Sequence, residues 1–288
     1  MPKQSCTGFG AIYMAILPNF RASHRWCDGL LGSGEPNAVQ IEGHDNAPFI
    51  LICDHGGNRI PDSLSDLGVS LQDRERHIGW DIGALGVARA MAERLGSLLV
   101  HQPYSRLVID CNRPPHVAQA FPNRVDGTYV PGNVAMTCAN AAARVGEIFH
   151  PYHAAIAAIL DARAERETIL VSVHSYTPDH GDHPGPRPWP VSLLFDKDRR
   201  FSDALAFQLQ LKNVTVGINQ PYVVDALGDY AIPVHGEGRG LLHTLIEVRQ
   251  DLIEGEAGQH YWGQELADCV RAARSSLFEQ KEFSHGAG

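Results

Sequence analysis

The sequence predicts an α/β fold with a mostly parallel or mixed central sheet and helices on both faces. Short apolar runs typical of buried strands alternate with longer segments in which apolar residues recur at helical spacing. No internal repeat or low-complexity tract interrupts this alternation. With 288 residues, 44% of them hydrophobic, the chain can bury one large core. We therefore expect a single domain over residues 47–288, preceded by an extension over residues 1–46 that shows no sustained hydrophobic period.

Seven apolar runs predict the strands of the sheet. The first, Phe49–Cys53, stops at the glycine-containing loop DHGGNRIP, as a buried strand does when it feeds a loop. The remaining runs are Leu98–Val100, Leu107–Ile109, Ile169–Val173, Val191–Phe195, Val214–Ile218 and Leu242–Val248. Polar residues at the ends of such strands face the crevice in which α/β proteins bind ligands.

Four segments predict helices. Between Ile82 and Leu95 apolar residues recur at helical spacing, with Asp81 at the N-terminus of the pattern and Gly96 well placed to end it. The other helical patterns are Asn140–Arg163, Ser202–Leu211 and Tyr261–Phe278. Strands and helices in this order indicate a sheet covered by helices on both faces.

Charge and cysteine content narrow the class of protein. The formal net charge is −9 with both signs mixed along the chain, so nucleic acid is not an expected partner. No stretch approaches the roughly 18 to 20 apolar residues that span a bilayer, so we expect no membrane partner. The apolar run Ala11–Leu17 lacks the small-residue cleavage site of a signal peptide. The six scattered cysteines form no C-x-x-C pair, which favours reduced thiols in a soluble cytoplasmic protein.

Three short segments place polar side chains at or within predicted strands. They are Asp54-His55-Gly56-Gly57-Asn58, Val173-His174-Ser175-Tyr176 and Ile246-Glu247-Val248-Arg249. Zinc in a hydrolytic site usually takes three protein ligands from His, Asp and Glu and leaves a fourth position for water. His55 and His174 are therefore candidate zinc ligands, although most histidines in proteins are surface or hydrogen-bonded core residues.

Further segments extend this pattern along most of the chain. In order they are CDHGGNRIP, WDIGALGVA, YSRLVIDCNRP, VHSYTP, RPW, NQPY, HGEGRG and IEVRQDLI. Together, over about residues 48–270, they resemble the N-formylglutamate amidohydrolase family, which is similar in fold to the zinc carboxypeptidases (phosphorylase/hydrolase-like). The resemblance implies one zinc ion per chain and attack of water on a formyl or other acyl amide. The founding substrate would give formate and glutamate.

The third zinc ligand has two candidates. Zinc carboxypeptidases carry a glutamate three residues after their first histidine, where this chain has Asn58. A carboxylate binds Zn²⁺ better than an amide oxygen does, so Asp81 is preferred. The alternative is that Asp81 only caps the helix that starts at Ile82.

Glu247 is the candidate general base. The segment LIEVRQDL resembles the strand that carries the glutamate base of the zinc carboxypeptidases. An unpaired carboxylate in an apolar strand is costly, which favours a catalytic role. The alternative is a structural ion pair with Arg249, which shares a face of the strand.

An anionic N-acyl amino acid requires fixed positive charge in its pocket. Arg106 and the pair Asn112-Arg113 are the main candidates, and Asn-Arg resembles the carboxylate clamp of the carboxypeptidases. Arg106 would otherwise be an exposed residue on a strand edge. Loop residues that could close the pocket are Arg187, Asn219 and Tyr222. Tyr176 and His235 are either oxyanion or substrate donors or local hydrogen-bonding residues.

Other classes of function have weaker support in the sequence. The chain contains no G-x-S-x-G elbow of a serine hydrolase and no G-x-x-x-x-G-K-[ST] phosphate loop. The sequence does not size the pocket, so a carboxypeptidase-like or aspartoacylase-like metallohydrolase remains an alternative. A non-catalytic metal-binding relative is the alternative from a different class.

Overall fold

The structure of this protein is a computed structural model that describes residues 29–134, 136–178, 186–225 and 228–285. Its main sheet has seven strands in the order β1-β3-β2-β6-β9-β7-β8, and β4 and β5 form a separate hairpin. The strands are β1 (Gln40–Gly43), β2 (Phe49–Cys53), β3 (Leu98–His101), β4 (Arg124–Val125), β5 (Thr128–Tyr129), β6 (Ile169–Tyr176), β7 (Val191–Leu194), β8 (Val216–Ile218) and β9 (Leu242–Arg249). β1 runs antiparallel to β3 and β7 antiparallel to β9, while the other neighbours in the main sheet are parallel. The predicted mixed sheet is confirmed.

Every predicted helical segment forms a helix. The helices are α1 (Leu71–Arg74), α2 (Ala84–Leu95), α3 (Cys138–Arg144), α4 (His150–Ala162), α5 (Arg200–Leu211) and α6 (Glu256–His285). Gly96 ends α2 in the left-handed conformation, with φ 69°, as its position predicts. A π turn over Val145–Phe149 joins α3 to α4, and Pro151 lies in the first turn of α4. Proline cannot donate the i→i−4 hydrogen bond, which explains why the helix widens there.

The sheet separates two hydrophobic clusters because alternate strand residues point to opposite faces. Leu51, Val171 and Ile246 pack with α2, α5 and α6 on one face. Ile50 and Leu170 pack with α4 and with the segment around residues 104–111 on the other face. Helices therefore cover both faces, and the functional edge of the sheet lies between the two clusters.

The predicted strand Leu107–Ile109 is wrong. This segment is a turn in which the amide of Val108 donates to the carbonyl of Ser105 at 2.9 Å. Its apolar side chains are buried against the sheet, so they produce the pattern of a buried strand without pairing as one. Side chains supply the hydrogen bonds that a neighbouring strand would otherwise make. The carbonyl of Leu107 accepts from Asn133, and the carbonyl of Val108 accepts from Arg144.

The folded domain starts earlier than residue 47. β1 lies within the segment that was expected to be an extension, and it forms one edge of the main sheet. Leu30 and Leu31 are also anchored, because their amides each donate to the carboxylate of Glu147 at 3.0 Å. The run Ala11–Leu17 lies outside the described residues.

The state of the cysteines and the hydrophobicity of the helices can be read from the described part of the chain. The cysteines that it contains, Cys53, Cys111, Cys138 and Cys269, are all free thiols. Cys6 and Cys27 lie outside it. None of the helices within these ranges is both long and apolar enough to cross a membrane.

Candidate active site

The site forms where the three central parallel strands end. His55 follows β2, His174 lies near the end of β6, and Glu247 stands directly beside His174 in β9. Because β2, β6 and β9 are parallel neighbours, their carboxyl ends meet at the same edge of the sheet. The strand pattern therefore brings the three predicted side chains together.

His55, Asp81 and His174 form a buried cluster. Each offers one potential ligand atom, and these atoms all lie within 4.8 Å of one another. Asp81 Oδ2 is 2.7 Å from His174 Nδ1 and 3.3 Å from His55 Nδ1. The Asp81 side chain does not cap α2, whose N-cap is Gly83 without a side-chain cap hydrogen bond. Asn58, the other candidate for the third ligand, is half-buried in the loop after β2.

Two further carboxylates hold the outer sides of the imidazoles. His174 Nε2 lies 3.0 Å from Asp54 Oδ2, and His55 Nε2 lies 2.7 Å from Asp110 Oδ1. A proton on each Nε2 leaves the lone pair of Nδ1 facing Asp81, which is the arrangement in which carboxylates orient metal-binding histidines. Asp54 and Asp110 were not among the predicted site residues. The sequence signal that could have identified them is their position: Asp54 directly precedes His55 in DHGG, and Asp110 ends the segment YSRLVID.

Arg106 is the cation of this cluster. Its Nη1 is 3.2 Å from Asp81 Oδ1, its Nε is 3.5 Å from Asp110 Oδ2, and its Nη2 contacts the His55 ring. Burial would raise the pKa of Asp81, but the charge of Arg106, with His55, holds it well below its usual range. The alternative of an exposed residue on a strand edge is not what the structure shows.

Glu247 is a buried carboxylate that forms no ion pair with the residues that the structure describes. It is 8% exposed, and its Oε2 has no hydrogen-bond partner in the described part of the chain. Burial, with Asp81 adding to it, raises the pKa of Glu247 to about 7 against the opposing charges of His174 and Arg106. Arg249 pairs with Asp251 at 2.8 Å instead, so the alternative of a Glu247–Arg249 ion pair is not realised.

The donor set fits a divalent cation. Asp54, Asp81, Asp110 and Glu247 are four carboxylates, and the Arg106 guanidinium contacts two of them, Asp81 and Asp110. Such an excess of negative charge in a buried site is stabilised by a bound cation. Two imidazole nitrogens and one carboxylate oxygen are ligands that zinc prefers at a hydrolytic site.

Arg113 and Asn112 have partners in the loop that follows β8. Arg113 Nη1 donates to Asp229 Oδ1 at 2.9 Å and to the carbonyl of Gly228 at 2.7 Å. The Asn112 carbonyl oxygen accepts from the amides of Tyr230 and Ala231. Asn112 therefore fixes the loop, while the Nε and Nη2 groups of Arg113 make no hydrogen bond with the described residues.

Tyr176, Arg187 and Tyr222 form a second group beside Glu247. The guanidinium carbon of Arg187 lies over both tyrosine rings, 5.5 Å from the centroid of Tyr176 and 5.2 Å from that of Tyr222. The Tyr176 hydroxyl donates to the carbonyl of Trp189, which is a local hydrogen bond. Tyr176 nevertheless lies close enough to Glu247 and Arg187 for their charges to act on its hydroxyl.

The side chains of Asn219 and His235 form local hydrogen bonds. Asn219 has φ 49°, and its side-chain oxygen accepts from the amide of Phe195 at 3.0 Å. His235 is buried and lies 3.0 Å from His153, nitrogen to nitrogen, with the two rings stacked. Of the two roles considered for His235, local hydrogen bonding is the one that the structure shows.

The fold and the site define the class as an α/β protein with a mixed sheet and a candidate metal centre at its strand ends. A model of the N-formylglutamate amidohydrolase family matches residues 47–254, and the chain belongs to this family. Its members are amidohydrolases by description, in agreement with the motifs found along the sequence.

Solved structures agree with this membership. The gene product Atu2144 from Agrobacterium tumefaciens is 32% identical, with a TM-score of 0.83 over 86% of this chain and 99% of that chain. An N-formylglutamate amidohydrolase from Ralstonia eutropha JMP134 is 21% identical, with a TM-score of 0.58 over 83% of this chain and 98% of that chain. The second similarity shows a common fold. A comparison with curated proteins finds no match.

Proposed function

We propose that this protein hydrolyses N-formyl-L-glutamate to formate and L-glutamate, using zinc held by His55, Asp81 and His174. The observation that carries the proposal is Glu247, a buried carboxylate beside this cluster, one oxygen of which has no hydrogen-bond partner among the described residues. A structural carboxylate at the same place would be expected to have a partner, because an unpaired buried charge is costly. Family membership supports an amide as the bond that is cleaved.

The residues around the cluster fit one zinc ion. His55 and His174 would bind it through Nδ1, and Asp81 through its carboxylate, while Asp110 and Asp54 hold the imidazoles in place. Zinc bound there would supply a Lewis acid that polarises the acyl carbonyl and lowers the pKa of water.

Glu247 would move the proton during hydrolysis. As general base it accepts a proton from the attacking water, and as general acid it then protonates the amine nitrogen when the C–N bond breaks. Its pKa of about 7 suits both directions of transfer near neutral pH. The hydrophobic clusters on both sides of the sheet hold β9, so the carboxylate keeps its place beside His174.

Arg113 and Arg106 would position the substrate. Among the described residues Arg113 uses only Nη1 for its partners, and its side chain is 36% exposed, which leaves a fork of N–H groups for the α-carboxylate of an N-acyl amino acid. Arg106 lies against Asp81 and His55, so its charge acts at the metal ligands and the acyl group. We place the protein in the cytoplasm, because its scattered cysteines favour reduced thiols.

The test is a panel of N-formyl and N-acetyl amino acids with the zinc-loaded enzyme. We expect formate release from N-formyl-L-glutamate, loss of activity with a chelator, and recovery with zinc. Activity that survives complete metal removal contradicts the zinc assignment. Preference for an N-acetyl substrate or a peptide instead identifies an aspartoacylase-like or carboxypeptidase-like enzyme. Zinc binding without hydrolysis of any substrate identifies a non-catalytic relative.

A further inference from the structure

We propose that Arg187, flanked by Tyr176 and Tyr222, is a second anion subsite that binds the side-chain carboxylate of the substrate. The enzyme would thus select N-acyl amino acids with an acidic side chain. The inference rests on the proposed function, which it deepens by naming the residue that selects the substrate class.

Arg187 is held in a way that leaves its Nε and Nη2 groups without hydrogen-bond partners among the described residues. Its guanidinium carbon lies over the rings of Tyr176 and Tyr222, and the rings attract the charge of the guanidinium without accepting a conventional hydrogen bond from its N–H groups. The N–H groups lie in the plane of the guanidinium, which is the direction in which a carboxylate pairs with arginine. Stacking on tyrosine and binding of a carboxylate are therefore compatible.

The charge of Arg187 is not neutralised by any carboxylate in the described part of the chain. Nη1 donates to the carbonyl of Thr177 at 3.1 Å and approaches the Tyr222 hydroxyl at 3.4 Å. Nε is buried and has no partner among these residues, and Nη2 makes no hydrogen bond with them. The other arginines at the site differ, since Arg106, Arg113 and Arg249 contact Asp81, Asp229 and Asp251 respectively.

The backbone of Arg187 is tied to the catalytic strands. Its carbonyl accepts from Arg249 Nη1 at 2.6 Å, and Arg249 ends β9 two residues after Glu247. Tyr176 ends β6 two residues after His174. On the other side, Tyr222 lies close enough to Arg106 for the two side chains to interact electrostatically. Arg187 therefore lies at the rim of the site, where Arg249 of β9 holds its backbone and Tyr176 of β6 contacts its side chain.

Two guanidinium groups consequently flank the cluster. Arg113 acts on Asp110, which contacts His55, so it belongs to the β2 side of the site. Arg187 belongs to the β9 side, where Glu247 lies. A substrate with two carboxylates can pair with both arginines. An isosteric amide side chain leaves the N–H groups of Arg187 without an anionic acceptor.

The test compares N-formyl-L-glutamate with N-formyl-L-glutamine, which has the same shape without the charge. For the wild-type enzyme we expect kcat/KM to favour the glutamate substrate by roughly 10- to 100-fold, as a charge-assisted pair predicts. In Arg187→Gln this preference should fall to about 1, chiefly through a higher KM for the glutamate substrate. Arg187→Lys keeps the charge without the fork and should give an intermediate ratio.

Arg199→Gln is the matched control, because Arg199 is an exposed arginine at the start of α5 that pairs with Asp203. This variant should keep the wild-type ratio. Circular dichroism and thermal unfolding establish that each variant is folded, and Arg187→Lys serves if Arg187→Gln is not. An Arg187→Gln enzyme that keeps the wild-type preference overturns the inference while the proposed function stands.

Failure of the proposed function is detected separately. If the wild-type enzyme hydrolyses no N-formyl amino acid, calorimetry with L-glutamate and L-glutamine still measures the subsite. We then expect tighter binding of glutamate by the wild-type protein and loss of this difference in Arg187→Gln. Equal affinity of the wild-type protein for the two amino acids overturns the inference.

Discussion

Two pairs of buried histidines lie in this protein, and the first is surrounded by carboxylates. His55 and His174 both face Asp81, and their other ring nitrogens contact Asp110 and Asp54. Burial opposes the charge on these imidazoles, yet the carboxylates outweigh it and raise the pKa of both histidines. This pair lies in an environment that attracts a cation.

The second pair has no such surroundings. His153 Nε2 donates to the carbonyl of Cys111 at 2.8 Å, since a carbonyl only accepts, and His153 Nδ1 then accepts from His235. Phe149 and Tyr230 pack their rings against His153. Burial lowers the pKa of His153 to about 4 and that of His235 to about 3. Both imidazoles are neutral and contribute packing and hydrogen bonds.

Burial alone therefore does not identify a ligand histidine. All four side chains are almost completely buried. The carboxylates next to the first pair decide the difference, because they orient the imidazoles and favour positive charge nearby. The following experiments test whether the two histidine pairs differ in this way.

The largest effect is expected from removing either candidate ligand histidine. His55→Ala and His174→Ala should reduce zinc from one ion per chain to almost none, because two remaining ligands hold zinc poorly. His235→Ala is the control from the second pair and should keep its zinc. Metal analysis of the purified proteins measures the outcome, and full zinc content in His55→Ala or His174→Ala would contradict the distinction.

Glu247→Gln should lower kcat by at least about 10²-fold, because the amide cannot accept a proton. Zinc content and KM should stay near the wild-type values, since Glu247 is not one of the three candidate ligands. Steady-state kinetics together with metal analysis test this prediction. An active Glu247→Gln enzyme would disprove the proposed mechanism even if the zinc site is confirmed.

The outer carboxylates should affect the metal without removing it. Asp54→Asn and Asp110→Asn should each weaken zinc binding by about 10- to 100-fold, because the imidazoles lose their anionic partners. Competition with a chromogenic chelator measures the affinity. Asp203→Asn, at an exposed ion pair in α5, is the control that should leave it unchanged. Unaltered affinity in both test variants would show that these carboxylates do not support the metal.

Arg113→Ala should raise KM for N-formyl-L-glutamate by roughly tenfold, because a charge-assisted hydrogen bond to the substrate is lost. A smaller fall in kcat would report misplacement of the amide bond rather than lost proton transfer. Comparison with Glu247→Gln separates binding from chemistry. A normal KM in Arg113→Ala would place the α-carboxylate elsewhere.

The second pair, His153 and His235, should make the free energy of unfolding depend on pH. The pKa of His153 and of His235 is lower in the folded protein than the usual 6.5, so the unfolded chain binds more protons below that pH. The free energy of unfolding should therefore fall as the pH drops from about 6.5 to about 4, by about 1 kcal/mol per pH unit for each histidine. Denaturant titrations over this range measure it. In His235→Gln, which keeps a donor for His153 but does not titrate, the slope should be shallower; an unchanged slope would contradict this assignment.

Local sequence was sufficient to predict the strands of the main sheet other than β1, and to select candidates for the inner part of the site. Phe49–Cys53, Ile169–Val173 and Leu242–Val248 are apolar runs of strand length, and the polar residues at their ends lie at one edge of the sheet. Periodicity and strand ends are properties of neighbouring residues, so they can be found without the fold. His55, His174 and Glu247 were selected as candidate site residues in this way.

Tertiary structure alone decided which charges meet. Leu107–Ile109 has the composition of a strand, yet it packs as a turn that delivers Arg106 and Asp110 to the site. Arg113 meets Asp229, which is 116 positions away, whereas Arg187 has no carboxylate partner among the described residues. Such contacts depend on how distant loops are packed together, and no local period encodes them. The choice between a neutralised arginine and one that can bind a substrate anion therefore follows from the fold.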